Sequence, residues 1–139
     1  MAATKSRALS VKSVQTAQRN TYPIKAGAHI FADCFVGMEA ASGYARALVA
    51  GDKCLGLATM EVDNTSGANG DLTIEVIHGE QVQMPVSAAV ITSVGSQVYA
   101  SDDQTAQLSS AASASKCGWV REFVNGTTCW VQLTPPELN

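Results

Sequence analysis

Charged and aromatic side chains are both scarce in this sequence. Asp, Glu, Lys and Arg make up 15% of the 139 residues, against about 25% in an ordinary soluble domain. Aromatic residues account for 6% and hydrophobic residues for 46%, so the core must be built mainly from small and aliphatic side chains. We expect one domain of modest stability that gains burial in an oligomer or on a larger surface. Two interpretations of the low charge are equally favoured. Part of the protein surface is covered by a partner in the working state, or the exposed surface is rich in Ser, Thr, Gln and Asn.

Long apolar runs are also lacking. No stretch approaches the roughly 20 residues of a membrane-spanning helix, and residues 1–20 contain no apolar core of a signal peptide. A reducing compartment, and therefore free thiols, is the expectation. The cysteine spacings fit no zinc motif, and their apolar, strand-like surroundings predict four buried, inert thiols. These are Cys34, Cys54, Cys117 and Cys129.

The sequence contains none of the common catalytic motifs: no GxSxG, HExxH, P-loop or strand-linked GxGxxG. His29 and His78 have no Asp or Cys at ligand or triad spacing, which predicts structural histidines. Asp102 and Asp103 occupy a predicted turn, where Asp is common for backbone reasons, and the calcium-loop pattern is absent. We therefore predict no enzyme activity, no cofactor and no metal. The alternative, a Cys–His enzyme, requires a thiol of depressed pKa near a histidine.

Charge is unevenly distributed along the chain. Residues 1–25 carry five basic side chains and no acid, whereas the remainder carries four basic and all twelve acidic side chains, giving +5 and −8. This split predicts an extended basic arm over 1–21 that docks on an acidic surface, followed by one β domain over 22–139. A solvated tail is the alternative, and the sparse charges argue against direct nucleic-acid binding. The candidate contacts with a partner or a neighbouring subunit are Arg7, Lys12, Arg19 and Tyr22.

Short apolar runs separated by turn residues dominate from Tyr22 onward. The clearest period-2 alternation lies in 71–78, with Leu72, Ile74 and Val76 on one face. Asn125-Gly126 predicts a hairpin, and 109–115 predicts a loop or a single turn. The pattern predicts an all-β fold, a compact jelly roll or a sandwich or barrel of short antiparallel strands. The predicted strands are 29–36, 43–49, 53–62, 71–78, 80–86, 96–100, 105–109, 116–124 and 127–133.

The two tryptophans, Trp119 and Trp130, fall on the two strands of the predicted C-terminal hairpin. Burial in the core or in an interface is the favoured interpretation, because the chain has few large side chains. Exposed together on a β face, they would instead form a carbohydrate-binding platform.

Six short stretches, each a turn followed by a strand, occur in a defined order along the chain. They are Ile24-Lys25-Ala26-Gly27, AGDKCLGLA at 50–58, GEQVQMPV at 79–86, GSQVYAS at 95–101, GWVRE at 118–122 and CWVQL at 129–133. Over residues 23–134 this order resembles the small decoration, or cement, proteins of tailed-bacteriophage capsids.

The resemblance implies a β-tulip or jelly-roll domain without catalytic residues. It implies binding to the outside of an assembled icosahedral head at two-fold or three-fold positions, where the protein clamps major capsid subunits against internal pressure. The implied partners are the major capsid protein and further copies of the chain, as a homodimer or a homotrimer. The implied location is the outer surface of the virion, after synthesis in the host cytoplasm. A carbohydrate-binding or host-adhesion β module is the alternative function.

Overall fold

The computed structural model describes residues 18–139, which form twelve short β-strands and three 3₁₀ turns. The all-β prediction is confirmed. The strands are β1 (Gln18–Pro23), β2 (His29–Ile30), β3 (Phe35–Met38), β4 (Ala45–Ala47), β5 (Lys53–Ala58), β6 (Val62–Asp63), β7 (Thr73–His78), β8 (Gln81–Ser87), β9 (Gln97–Ala100), β10 (Ala106–Gln107), β11 (Ser115–Asn125) and β12 (Thr128–Leu133). The 3₁₀ turns are η1 (Ile91–Ser93), η2 (Ala111–Ser113) and η3 (Pro136–Leu138). No helix within 18–139 is long and apolar enough to cross a bilayer.

Most of the strands form one sheet and one closed barrel. The five-stranded sheet has the order β1-β7-β5-β3-β4, and the closed barrel has the order β10-β8-β12-β11-β9. All neighbours are antiparallel except β10 and β8, which are parallel. β2 and β6 form a separate two-stranded ribbon. The chain leaves the sheet for the barrel at Gly79, between β7 and β8.

Strand β5 lies between two hydrophobic clusters and is buried on both faces from its second residue onward. Leu55 belongs to one cluster, with Val36, Ile74 and Val76 of the sheet. Leu57 belongs to the other cluster, which we call the barrel core. Its barrel members include Val86, Val98, Cys117, Val120, Cys129, Val131 and Leu133. This near-continuous apolar strand holds the two halves of the molecule together.

The chain joins the sheet earlier than predicted. Residues 18–21, assigned to the arm, belong to β1 and pair with β7 from Gln18 opposite His78 to Pro23 opposite Thr73. The register places Tyr22 opposite buried Ile74, so β1 supplies one side of that hydrophobic cluster. Residues 1–17, including Arg7 and Lys12, lie outside the described residues.

Two predicted strands are each divided in two. Segment 29–36 contains β2 and β3, separated by a turn in which Asp33 has a φ of 60°. Segment 53–62 contains β5 and β6. Because of these breaks, β3 and β5 pair in the sheet, whereas β2 and β6 pair in the ribbon. Apolar periodicity does not predict where such breaks fall, because the pairing depends on distant segments.

The predicted hairpin is confirmed as β11 and β12, with a two-residue loop one position later than expected. Asn125 and Thr128 form the closing pair. Gly126 has a φ of 50° at the first loop position, where type II′ turns favour glycine. The alternation in β7 is confirmed at Ile74 and Val76, but Leu72 precedes the strand and is exposed.

Candidate functional site

A cluster of exposed apolar side chains lies on the outside of the barrel. It consists of Val90, Ile91, Val94 and Trp119, and we call it the barrel patch. Ile91 is 73% exposed and Trp119 44% exposed, and both valines are about half exposed. Val94 and Trp119 line one shallow depression of about 340 Å³. Because η1 lies against β11, these exposed apolar side chains fall on one part of the surface, and such groupings mark contact sites on soluble proteins.

Backbone hydrogen bonds hold the barrel patch together. The Gly95 amide donates to the Val120 carbonyl at 2.8 Å, and the Val120 amide donates to the Ser96 carbonyl at 2.9 Å. These bonds fix the segment after η1 against β11. Ser93 is buried, and its hydroxyl accepts from the Val90 amide at 3.0 Å. The turn is therefore anchored at its end while Ile91 faces outward.

Neither Trp119 nor Trp130 belongs to a hydrophobic cluster. The prediction that they are buried in the core is therefore wrong, and burial in an interface stays a prediction. Val120 and Val131 are opposite one another and buried, and the residues beside them in each strand face outward. Trp119 lies opposite Gln132, and Trp130 lies opposite Glu122. The closed five-stranded barrel has a narrow interior, which valine and cysteine side chains fill.

Arg19 and Tyr22, the two candidate contact residues within 18–139, have different surroundings. Arg19 donates to Glu75 at 3.0 Å and its side chain remains 59% exposed, an ion pair of the kind that contributes little in water. Tyr22 is half-buried against the sheet cluster. Burial, and then the charge of Glu137, raises the pKa of its hydroxyl. Arg19 is thus accessible to a partner, whereas Tyr22 is mainly a packing residue.

A network of charged side chains stabilises the loops around β4. Arg46 donates to both carboxylate oxygens of Asp52, at 2.9 and 2.8 Å, and to Glu39 at 2.9 Å. Glu39 also accepts from Lys25 and from Ser42. These hydrogen bonds lower the Glu39 pKa, that from Lys25 most. The stabilisation by Glu39 is therefore present above the ordinary glutamate pKa and lost as pH falls through the lowered one. Sequence periodicity did not predict this network.

A groove of about 560 Å³ lies where the sheet meets the barrel. We call it the junction groove. Its lining includes apolar side chains from both halves, namely Phe35, Leu57, Val82 and Met84. Asp33, Asp103 and the half-buried Cys34 also line it. Burial, and then the neighbouring Asp102, raises the pKa of Asp103.

Asp102, by contrast, is satisfied within its own turn. Its carboxylate accepts from the Gln104 amide at 2.8 Å and from the Thr105 amide at 2.7 Å. The first of these bonds contributes most to lowering its pKa. This is the backbone role predicted for an aspartate in a turn. Within residues 18–139, no group of three or more His, Cys, Asp or Glu side chains is placed to hold a metal ion.

Three of the four cysteines are buried as predicted, and all four are free. Cys34 is the exception, since it lies half-buried in the junction groove. Burial raises the pKa of Cys54 to about 12 and also raises that of Cys117. Burial and then Asp103 and Asp33 raise the Cys34 pKa. A nucleophilic cysteine requires the opposite shift.

Thiol titration of the native protein should therefore modify one cysteine per chain, Cys34, and all four after denaturation. Because its pKa is raised, Cys34 should react with iodoacetamide more slowly than a free thiol at pH 7, and faster as pH rises. Mass spectrometry of the alkylated peptides measures both. Rapid native labelling of Cys54 or Cys117 would contradict the buried positions.

The two histidines differ in exposure and in how fully their ring nitrogens are paired. His29 pairs with Glu61 at 2.7 Å, and its ring centroid lies 4.2 Å from that of Phe31. His78 is buried, and its Nε2 lies 3.0 Å from the Asn20 amide nitrogen. Its Nδ1 has no hydrogen-bond partner within the described part of the chain. His78 lies on the same face of β7 as the buried Ile74 and Val76.

No protein-family model matches this sequence, and no curated protein matches it at a significant level. The function is therefore inferred from the surfaces of the molecule and from the resemblance in residues 23–134.

Proposed function

We propose that this protein is a decoration, or cement, protein that binds the outer surface of an assembled phage head. It would stabilise contacts between major capsid subunits against internal pressure, with the virion surface as its working location. The observation that carries the proposal is the barrel patch, because four apolar side chains are exposed together on a chain with few charges. Such clusters mark protein–protein contacts. The resemblance in residues 23–134 supports the major capsid protein as the partner.

The stabilisation would follow from mass action. A ligand that binds the assembled lattice but not its separated subunits stabilises the lattice by RT ln(1 + [L]/Kd) per site. This is about 2.7 kcal/mol when the free ligand is at one hundred times Kd. Repeated over many sites, such contributions raise the force needed to rupture the shell. No chemical step is required of the decorating protein.

Self-association is the second part of the proposal. Binding at a two-fold or three-fold position favours a closed homodimer or homotrimer. The basic residues Arg7, Lys12 and Arg19 would add electrostatic attraction to an acidic shell or neighbouring subunit. Light scattering of the purified protein gives the number of chains, and a strict monomer at all concentrations would remove this part of the proposal.

Ile91→Asp should weaken attachment to emptied phage heads at least tenfold. The substitution places a charge at the most exposed apolar position of the barrel patch, where docking would have to desolvate it. Since Ile91 is 73% exposed, the fold should be unaffected. Co-sedimentation over a range of protein concentrations gives the affinity, and thermal unfolding verifies the fold.

Leu138→Asp is the matched control. Leu138 also lies in a 3₁₀ turn, and it is 67% exposed, but it is outside the barrel patch. We expect wild-type sedimentation for this variant. Equal losses for both variants would mean that the barrel patch is not the docking surface, and failure of the wild-type protein to pellet with any head would reject the decoration function.

A carbohydrate-binding module is the second candidate, and one observation favours it. Trp119 and Trp130 both face outward on paired strands, and their registers make them diagonal neighbours. Tryptophan fluorescence titrated with a panel of glycans tests this candidate. Saturable quenching that Trp119→Ala abolishes would support it, and no response across the panel would remove it.

A further inference from the structure

The junction groove combines apolar walls with acidic groups. Leu57 and Phe35 belong to the hydrophobic cluster that extends from sheet to barrel, and Val82 and Met84 of β8 pack against that cluster. Asp33 is exposed, and Asp103 is partly buried. A volume of about 560 Å³ is within the range of ligand-binding clefts. The groove therefore suits a ligand that has both apolar and cationic groups.

Among residues 18–139, neither Asp33 nor Asp103 has a cationic partner. No Lys or Arg of these residues lines the groove. Burial, and then the charge of Asp102, make the environment of the Asp103 carboxylate unfavourable and raise its pKa. A cation placed between Asp33 and Asp103 would offset the cost of burying the Asp103 charge and its repulsion by Asp102.

Residues 1–17 have the composition that this groove requires. They contain three basic side chains and no acid. They also contain aliphatic residues between and after the basic ones. The basic residues are Lys5, Arg7 and Lys12, and the aliphatic ones are Leu9, Val11 and Val14.

The strand to which residues 1–17 are attached, β1, lies close to the groove. Arg19 pairs with Ile77, Ile77 with Leu57 and Leu57 with Phe35, so the four residues form one row across the sheet. Directly paired residues point to the same face, and Leu57 is two strand spacings, about 10 Å, from Arg19. Seventeen extended residues span up to about 60 Å. The arm can therefore turn back into the groove, and the tether gives it a high effective concentration.

We propose that the junction groove binds residues 1–17 of the same molecule. Basic side chains of the arm lie between Asp33 and Asp103, and aliphatic side chains contact Val82 and Met84, the partly exposed apolar lining of the groove. This inference does not depend on the decoration function. In the free protein the groove holds the arm, and an acidic partner surface competes for the same cations.

Cross-linking of the full-length protein tests the proposal, because Cys34 is a native thiol in the groove. A short reagent that joins a thiol to an amine should link Cys34 to Lys5 or Lys12 at low ionic strength. The yield should fall at least fivefold in 0.5 M NaCl, which shortens the Debye length. It should fall similarly in the Asp33→Asn/Asp103→Asn variant. Asn tolerates the positive φ of residue 33, so the fold should be retained.

In the Asp33→Asn/Asp103→Asn variant, a change in thiol reactivity cannot account for a lower cross-linking yield. Asp103 and Asp33 both raise the Cys34 pKa, so removing them makes the thiol more reactive, and a lower cross-linking yield cannot come from thiol chemistry. The matched control is Glu122→Gln/Glu137→Gln, which removes two exposed acids outside the groove and should leave the yield unchanged. A yield insensitive to both salt and the Asp33→Asn/Asp103→Asn change would overturn the proposal.

Isotope mixing distinguishes the same molecule from a neighbouring copy. Equal amounts of ¹⁵N-labelled and unlabelled protein are combined before cross-linking. We expect linked peptides that are entirely heavy or entirely light. Mixed pairs at the statistical frequency would show that the arm of a second copy fills the groove, which would overturn the assignment to the same molecule.

Discussion

Replacing Gly56 with alanine should destabilise the protein by about 4 kcal/mol or more, the range of severe core substitutions. Gly56 has a φ of +137°, and a Cβ there would lie 2.2 Å from the carbonyl oxygen of Ile77. The clash is with backbone on the paired strand β7, and β5 is buried on both faces. Neither strand can move away without opening a hydrophobic cluster. Urea unfolding followed by tryptophan fluorescence measures the loss, and the soluble yield reports complete failure to fold.

Gly51→Ala is the matched control for this substitution. Gly51 has a φ of +97°, and no described residue lies within 4 Å of the position its Cβ would take. Only backbone strain should remain, which costs roughly 1–2 kcal/mol. If the two variants differ by less than 1 kcal/mol, then β5 and β7 relax around the added methyl group and the close approach at Gly56 is not structurally required.

Arg46→Leu should cost about 3 kcal/mol, the lower end of the range for breaking a buried ion pair. The Asp52 side chain is 5% exposed and is held by Arg46 through two hydrogen bonds. Without the guanidinium, its charge is left with the single amide bond from Val49. The lower end of the range applies because the Arg46 side chain is 27% exposed. Urea unfolding at pH 7 measures the difference.

Two further variants separate the buried charge from the lost side chain. Arg19→Leu breaks the exposed pair with Glu75 and should cost less than about 1 kcal/mol. Combining Arg46→Leu with Asp52→Asn should recover part of the loss, because the uncompensated charge is removed and the Val49 hydrogen bond is retained. An Arg46→Leu cost no larger than that of Arg19→Leu would show that Asp52 is solvated when unpaired.

Local patterns in the sequence predicted the elements that depend on neighbouring residues. Ile74 and Val76 alternate with polar residues, and that alternation identified β7 and its buried face. Asn125-Gly126 identified the β11–β12 hairpin to within one residue, because turn geometry is set by a few adjacent backbone angles. The acidic turn at Asp102 was predicted for the same reason.

The candidate surfaces depend on pairings between distant segments. Trp119 faces outward only because Val120 and Val131 take the inward positions of a closed barrel. Cys34 lies at a groove because β3 begins beside β8 of the other half. Apolar content predicts that a residue can be buried, but register and curvature decide whether it is.

The amino-acid sequence by itself therefore determined the all-β class, the short strands, the C-terminal hairpin and the split between basic and acidic regions. These properties follow from side-chain alternation, turn residues and charge, which are local or additive along the chain. The tertiary structure alone decided that β5 contributes side chains to both hydrophobic clusters and that Arg46 meets Asp52. It also decided that an apolar patch and an acidic groove lie at the surface of residues 18–139. The physical reason is that strand order and register are set by which distant apolar faces bury one another, and that choice belongs to the whole chain.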